Sequence, residues 1–346
     1  MMKFNIKRLV ALLCAVGILM LAGCADKTPQ VGETEDLSDT YAFVGKNIQN
    51  PYMQRMYEGF EAACSEIGVK SVFRAPEAIT SRKQIEIINS LIESNMAGIA
   101  VAANDADALL DVLQDAMDKG IKIISLDSAV VKDARQTHIQ QADPEVVGRE
   151  LIRAAYDITG GTGGIAILSS TATATNQNLW IEYMKKELEE DSEKYANMPL
   201  IDIVYGDDDL TKSISETERI LPNKDIKVIV APTAVGIQGA AMAIKDKNSD
   251  VKLTGLGMPS QMAGFIDDNV CQVMYLWNPV DIGYLAGYTI DALAKGSITG
   301  AVQETFAVGS LGSRTIVEAA DGGTEVMLGD LLKFDKSNIA EWKDAY

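Results

Sequence analysis

The chain has one histidine, His138, among its 346 residues. A Ser-His-Asp triad needs that residue and also a positioned nucleophile, and no such nucleophile stands out. A zinc centre normally draws on several histidines or cysteines. His138 lies in QTHIQQADP and reads as an ordinary strand residue. Cysteine is scarce as well: of four, Cys14 falls in an apolar leader and Cys24 at its end. Cys64 and Cys271 remain, on stretches assigned to different domains. Their compartment permits a disulfide, but two buried free thiols are expected. Cations are in deficit, 31 Lys and Arg against 49 Asp and Glu. Loss of the first 23 residues, with three cations and no anion, takes the net charge from −18 to −21. Such a chain is soluble and repels nucleic acid and anionic lipid surfaces. No nucleic-acid partner, metal or cofactor is expected.

Long apolar runs are missing too, apart from one. LVALLCAVGILML (residues 9–21) follows Lys3, Lys7 and Arg8 and has the length and flanks of a secretory leader rather than a membrane span. It ends in Leu21-Ala22-Gly23-Cys24, which resembles the bacterial lipobox. By that resemblance residues 1–23 are removed and Cys24 carries lipid, which makes the protein extracytoplasmic and membrane-anchored. ADKTPQVGETEDLSDT then completes a polar tether over 24–40.

From residue 41 apolar strands alternate with amphipathic helices. YAFVG, VKSVFR, GIAVAA and IKIISL are strand-like, and PYMQRMYEGFEAACSEIG has helical spacing with proline at its start and glycine at its end. The rhythm restarts near Asp143 with GGIAILSS, LIDIVY, KVIVA, VKLTGLG and CQVMYLW. Continuous β-branched runs between helices predict parallel sheets covered on both faces, in two doubly wound halves. Gly160-Gly161-Thr162-Gly163-Gly164 precedes a strand, whereas a dinucleotide loop follows one. It is read as a helix C-cap and turn.

Ligands of open parallel sheets bind beyond the carboxyl ends of the strands. Those ends carry Lys46, Asn47, Asn50 and Tyr52, then Asp127 and Ser128. TATATNQNLW supplies Asn176, Gln177 and Trp180; Pro232-Thr233-Ala234 follows KVIVA, and Trp277-Asn278 follows the last strand. Amides, hydroxyls and rings with one cation and one carboxylate suit a small neutral polyol. Paired carboxylates, a metal cluster and an activated nucleophile are not found, so binding rather than catalysis is expected.

Three stretches carry a resemblance. TATATNQNLW, LWNPVDIGYLAGY (276–288) and the tail FDKSNIAEW resemble the type I periplasmic sugar-binding proteins, receptors of bacterial ABC importers, in the branch of the rhamnose-binding proteins and the autoinducer-2 receptor. The resemblance spans residues 41–346. It implies an α/β fold of two doubly wound domains, 41–142 plus 278–301 and 143–277 plus 302–346, joined by three crossings near 141–143, 277 and 299–304. It also implies a monomer that closes on a sugar and docks on a membrane permease. The autoinducer-2 receptor's site residues fall on Lys46, Asp127, Asn176, Gln177, Pro232 and Ala234, with Asn176 replacing an aspartate. Gly257 replaces the aspartate of ribose receptors. Rhamnose or a related deoxy-sugar is the leading ligand, autoinducer-2 the alternative, and a surface carbohydrate-active enzyme the third reading.

Overall fold

Apolar β-branched runs bury both faces when parallel neighbours and crossover helices cover them. β1 (Thr40–Val44) does this completely, with all five residues buried. A computed structural model describes residues 37–346; the leader, Cys24 and residues 24–36 of the expected tether lie outside them. The tether's last residues belong to the fold instead. Leu37 donates its amide to the Ser94 carbonyl, and Thr40 opens β1.

β1 pairs in parallel with β2 (Lys70–Arg74) and β3 (Gly98–Val101), and β4 (Lys122–Leu126) and β5 (Thr137–Gln140) continue the sheet. β14 (Thr324–Met327) adds in parallel beside β5, and β13 (Val317–Glu318) runs antiparallel at the edge. The second sheet has the order β7 (Leu200–Tyr205), β6 (Gly164–Ser169), β8 (Ile226–Ala231), β9 (Lys252–Leu256), β10 (Val273–Leu276), all parallel, closed by antiparallel β15 (Leu332–Asp335). β11 (Thr305–Ala307) and β12 (Ser313–Thr315) form a separate hairpin. The result is the expected pair of α/β domains.

Among the described residues the chain passes between sheets three times: after β5, after β10, and between β14 and β15. The third passage was expected at 299–304 but lies at 328–331, because residues 317–327 return to extend the first sheet through the β14–β5 ladder.

Helix ends follow local chemistry. α1 (Pro51–Ile67) starts at proline, is capped by the Asn50 side chain on the Tyr52 amide, and stops at Gly68 with φ 79°. α2 (Ser81–Glu93) and α3 (Leu110–Asp118) cover the first sheet. α4 (Pro144–Thr159) is capped by Asp143 and ends at Gly160, φ 67°, so the glycine run is a C-cap turn. α5 (Thr175–Glu190) packs on α4, and Glu187 of α5 binds Arg149 (3.1 Å), Arg153 (3.0 Å) and the Tyr195 hydroxyl (2.8 Å). α6 (Leu210–Ile220), α7 (Ala234–Asp246), α8 (Pro259–Asp267) and the short α10 (Ile339–Trp342) belong with the second sheet. α9 (Pro279–Ala294) crosses α1 at backbone contact: a Cβ on Gly59 would lie 1.8 Å from the Val280 carbonyl oxygen, and one on Gly283 1.7 Å from that of Met56. Among the described residues no helix is long and apolar enough to cross a membrane.

His138 is a buried β5 residue, with Nδ1 2.9 Å from Ser125 Oγ and Nε2 3.1 Å from Gln140 Oε1. Burial, reinforced by Arg135, pushes its pKa down to about 3, so the ring is neutral at physiological pH. Cys64 and Cys271 are free and buried, and burial lifts both thiols to about 12.

Candidate functional site

The carboxyl ends of the two sheets face each other across a small cavity. Lys46 follows β1 by two residues, and its loop is held by amides. Gln84 of α2 donates to the carbonyls of Gly45 (3.0 Å) and Ala102 (2.8 Å), and its oxygen accepts the Asn104 amide. Asn104 in turn donates to the Lys46 carbonyl at 3.1 Å. The Lys46 ammonium is thereby aimed at Asp127, which directly follows β4, and the two form a buried ion pair at 2.9 Å. Asp127 has φ 61°, a left-handed conformation that aspartate tolerates better than most residues. It also accepts from the Tyr52 hydroxyl at 3.4 Å and from Asn176 Nδ2 at 3.2 Å.

Asn176 and Gln177 open α5, whose N-cap residue, Ala174, has no side-chain cap. The threonines before it do not cap the helix. Thr173 instead reaches across to the Asn104 carbonyl at 3.0 Å. Ser128 Oγ donates to Asn176 Oδ1 at 2.9 Å, and Gln177 Oε1 accepts from Ser169 Oγ and the Ser170 amide. The amide groups at this helix start are held by both domains.

One charged residue escaped the sequence reading. Asp208 lines the cavity and is the second carboxylate there, where only Asp127 had been counted. It follows β7 in the run Gly206-Asp207-Asp208-Asp209, which reads locally as an exposed acidic turn. LIDIVY had been recognised as a strand, so the strand-end rule applied to it would have found Asp208. The residue keeps some exposed surface but is densely surrounded. That desolvation, with Asp127 adding to it, lifts its carboxyl above the ordinary aspartate range against the pull of Lys46, Thr233 and Asn50.

The rest of the wall is apolar or aromatic. Trp180 and Trp277 approach with ring centroids 5.7 Å apart, tilted by 52°. Trp277 Nε1 donates to the Tyr52 hydroxyl at 2.6 Å. Trp180 Nε1 is buried without a hydrogen-bond partner, a free donor in the cavity wall. Met53, Leu256 and Leu276, also missed in the sequence, complete the apolar side, and Thr233 joins the polar one.

Of the residues singled out in the sequence, Lys46, Asn50, Tyr52, Asp127, Asn176, Gln177, Trp180, Pro232, Thr233, Ala234 and Trp277 line this one cavity. Three do not. Asn47 accepts the Gln49 amide in a surface turn, and Asn278 caps α9 through the Val280 amide. Ser128 stands behind Asn176. Short polar residues at strand-to-helix joints are recruited by the backbone as readily as by a ligand. The cavity offers about 40 Å³, room for a few water molecules. Direct hydrogen bonds across it, from Asn176 to Asp127 and from Asn50 to Asp208 (3.3 Å), hold the closed arrangement. Among the described residues no group of acidic, histidine or cysteine side chains could hold a metal ion.

Comparisons with known proteins agree with this architecture. The sequence model of the periplasmic binding protein domain matches residues 41–298. A Clostridium phytofermentas ABC-transporter solute-binding protein, solved with bound L-rhamnose, is 45% identical over 89% of this chain and 99% of its own, with a TM-score of 0.86. A sugar ABC transporter protein from Actinomyces odontolyticus is 36% identical over 90% and 99% of the two chains, with a TM-score of 0.69. LsrB from Clostridium saccharobutylicum, solved with AI-2, shares the fold at a TM-score of 0.82 and 23% identity, over 88% and 99%. The chain belongs to the periplasmic binding protein family, in its type I sugar-binding class.

Proposed function

We propose that the protein is a lipid-anchored, monomeric, extracytoplasmic receptor that binds a neutral monosaccharide, L-rhamnose or a related deoxy-sugar, and presents it to an ABC permease. The mixed lining of the cavity carries this reading. Its carboxylates, amides and ammonium match hydroxyl groups, while two indoles with Met53, Leu256 and Leu276 match a ring face and a methyl substituent. The L-rhamnose complex of the 45%-identical relative supports the same ligand class. The three inter-sheet passages would serve as the hinge, and a sugar buried between the domains favours the closed form that a permease can recognise. Catalysis is disfavoured although two carboxylates are present. Asp127 is ion-paired to Lys46, and Asp208 accepts from Thr233 and Asn50, so neither stands as a free acid–base pair.

Thermal unfolding with a panel of sugars tests the proposal. A ligand at a hundred times its Kd stabilises by about 2.7 kcal/mol, which for domains of this size raises Tm by roughly 5–10 °C. L-rhamnose or another deoxyhexose is expected to produce that rise. No rise with deoxyhexoses, pentoses or autoinducer-2 overturns the reading, and product release from a glycoside would overturn the non-enzymatic part.

The autoinducer-2 reading is kept because Lys46, Asp127, Gln177, Pro232 and Ala234, the positions carried over from that receptor, line one cavity. Asn176→Asp separates the two. It replaces an amide that donates to Asp127 with a third carboxylate, so L-rhamnose affinity is expected to fall tenfold or more. Autoinducer-2 binding by the variant tighter than L-rhamnose binding by the wild type would select the second reading.

A further inference from the structure

We infer that Asp208 reads the ligand directly and, together with Asp127 and against the single ammonium of Lys46, sets the site to accept neutral sugars and refuse acidic ones. The inference deepens the sugar-binding reading and rests on it. Three consecutive aspartates divide their work. Asp207 pairs with Lys212 at the surface, and Asp209 caps α6 by accepting the Lys212 amide at 2.7 Å. Only Asp208 lines the cavity. The turn that directs it there has left-handed backbone at both Asp207 (φ 52°) and Asp208 (φ 47°), a conformation retained where surrounding structure holds it, as in ligand clamps.

Thr233 Oγ1 fixes one carboxylate oxygen at 2.7 Å, and Asn50 Nδ2 reaches the other from the opposite domain at 3.3 Å. A carboxylate offers about four acceptor positions, so capacity remains for sugar hydroxyls. The longer contact from Asn50 is the one that a hydroxyl can replace. Among the described residues Lys46 is the one cation lining the cavity, and it is already paired with Asp127. A carboxylate or phosphate on the ligand would therefore face two like charges with no unpaired cation, and that repulsion works as selection against the wrong ligand.

The test is titration calorimetry with L-rhamnose, D-galacturonate and D-glucuronate on the wild type and on Asp208→Asn, Thr233→Val and Asp207→Asn. The wild type is expected to bind L-rhamnose and to bind both uronates at least about a hundredfold more weakly. Asp208→Asn is expected to lose about tenfold to a hundredfold in L-rhamnose affinity, the range for a hydrogen bond to a charged group, and to narrow the gap to the uronates. Thr233→Val, which frees the carboxylate from its orienting hydroxyl, is expected to weaken L-rhamnose binding in the same direction. Asp207→Asn, with the same charge change at the surface, is expected to match the wild type. Unchanged affinity and discrimination in Asp208→Asn overturn the inference alone. So does unchanged affinity in Thr233→Val should Asp208→Asn fail to fold, and so does wild-type binding of uronates as tight as L-rhamnose. If another sugar of the thermal panel replaces L-rhamnose as the ligand, the same comparison is made with it. If none binds the wild type, the sugar-binding reading falls and this inference with it.

Discussion

Lys46→Met is expected to abolish sugar binding and to lower Tm by roughly 10 °C. The ammonium is buried 2.9 Å from Asp127, itself buried, and its charge also acts on Asp208. Removing one member of a buried ion pair typically costs about 3–5 kcal/mol, because the partner charge is left uncompensated; for domains of this size each kcal/mol is roughly 2–4 °C in Tm. Methionine keeps the length of the stem, so packing changes little and the loss reports charge. Two carboxylates left without their cation can also be rehydrated if the cleft opens. Small-angle scattering should therefore show a larger radius of gyration for the variant than for the wild type. Adding Asp127→Asn to Lys46→Met should recover part of the lost stability, since the coupling between paired residues is not additive. A single-variant cost below about 1 kcal/mol would show that the pair behaves like a solvated one and does not organise the site.

Gly283→Ala is the second large effect, and it acts through packing rather than charge. The added methyl would lie 1.7 Å from the Met56 carbonyl oxygen and 2.8 Å from the Phe60 amide nitrogen, both backbone atoms that no rotamer change can move. α1 and α9 must separate to admit it, and both helices bury long faces, including Met56, Phe60, Ile282, Leu285 and Ile290. Overpacking of this kind costs typically about 1–3 kcal/mol, and the expected loss is at the upper end because the obstruction is main chain. Denaturant unfolding measures it. The control is Gly264→Ala in α8, where a Cβ meets nothing within 4 Å. There, alanine's higher helix propensity is expected to be neutral or to stabilise by up to about 1 kcal/mol. Equal behaviour of the two variants would refute the close-crossing account.

Much of the fold was legible in the chain because its signals are local. LIDIVY is β7 residue for residue, and Pro51 and Gly68 bound α1 as their chemistry demands. The segments that were missed have weaker local signals. α8 is short, with two residues of low helix propensity, Pro259 and Gly264, among its nine. The strands β11 to β14 have two to four residues each, too few for a period of two to declare itself. The third passage had been placed by the resemblance, and β13 and β14 move it to 328–331.

The site divides along the same line. Lys46, Asp127, Asn176 and Gln177 could be named from strand ends, since a parallel sheet presents its ligand groups there. Asn47, Ser128 and Asn278 satisfied the same rule and were taken by turns, caps and support. Asp208 was hidden because three aspartates in a row look alike in a string, and only the folded chain shows which of them lines the cavity.

The sequence by itself therefore determined the alternation of strands and helices, the doubling of the α/β unit and the strand ends from which a site could be built. These follow from residue chemistry over a few turns of chain. Tertiary structure alone decided which strand ends meet, as with Trp277 donating to Tyr52, 225 residues away. It also decided that β14 joins the first sheet and that Lys46 pairs with Asp127 in a cavity that Asp208 also lines. Those contacts form only when distant segments pack together, and no local periodicity encodes their pairing.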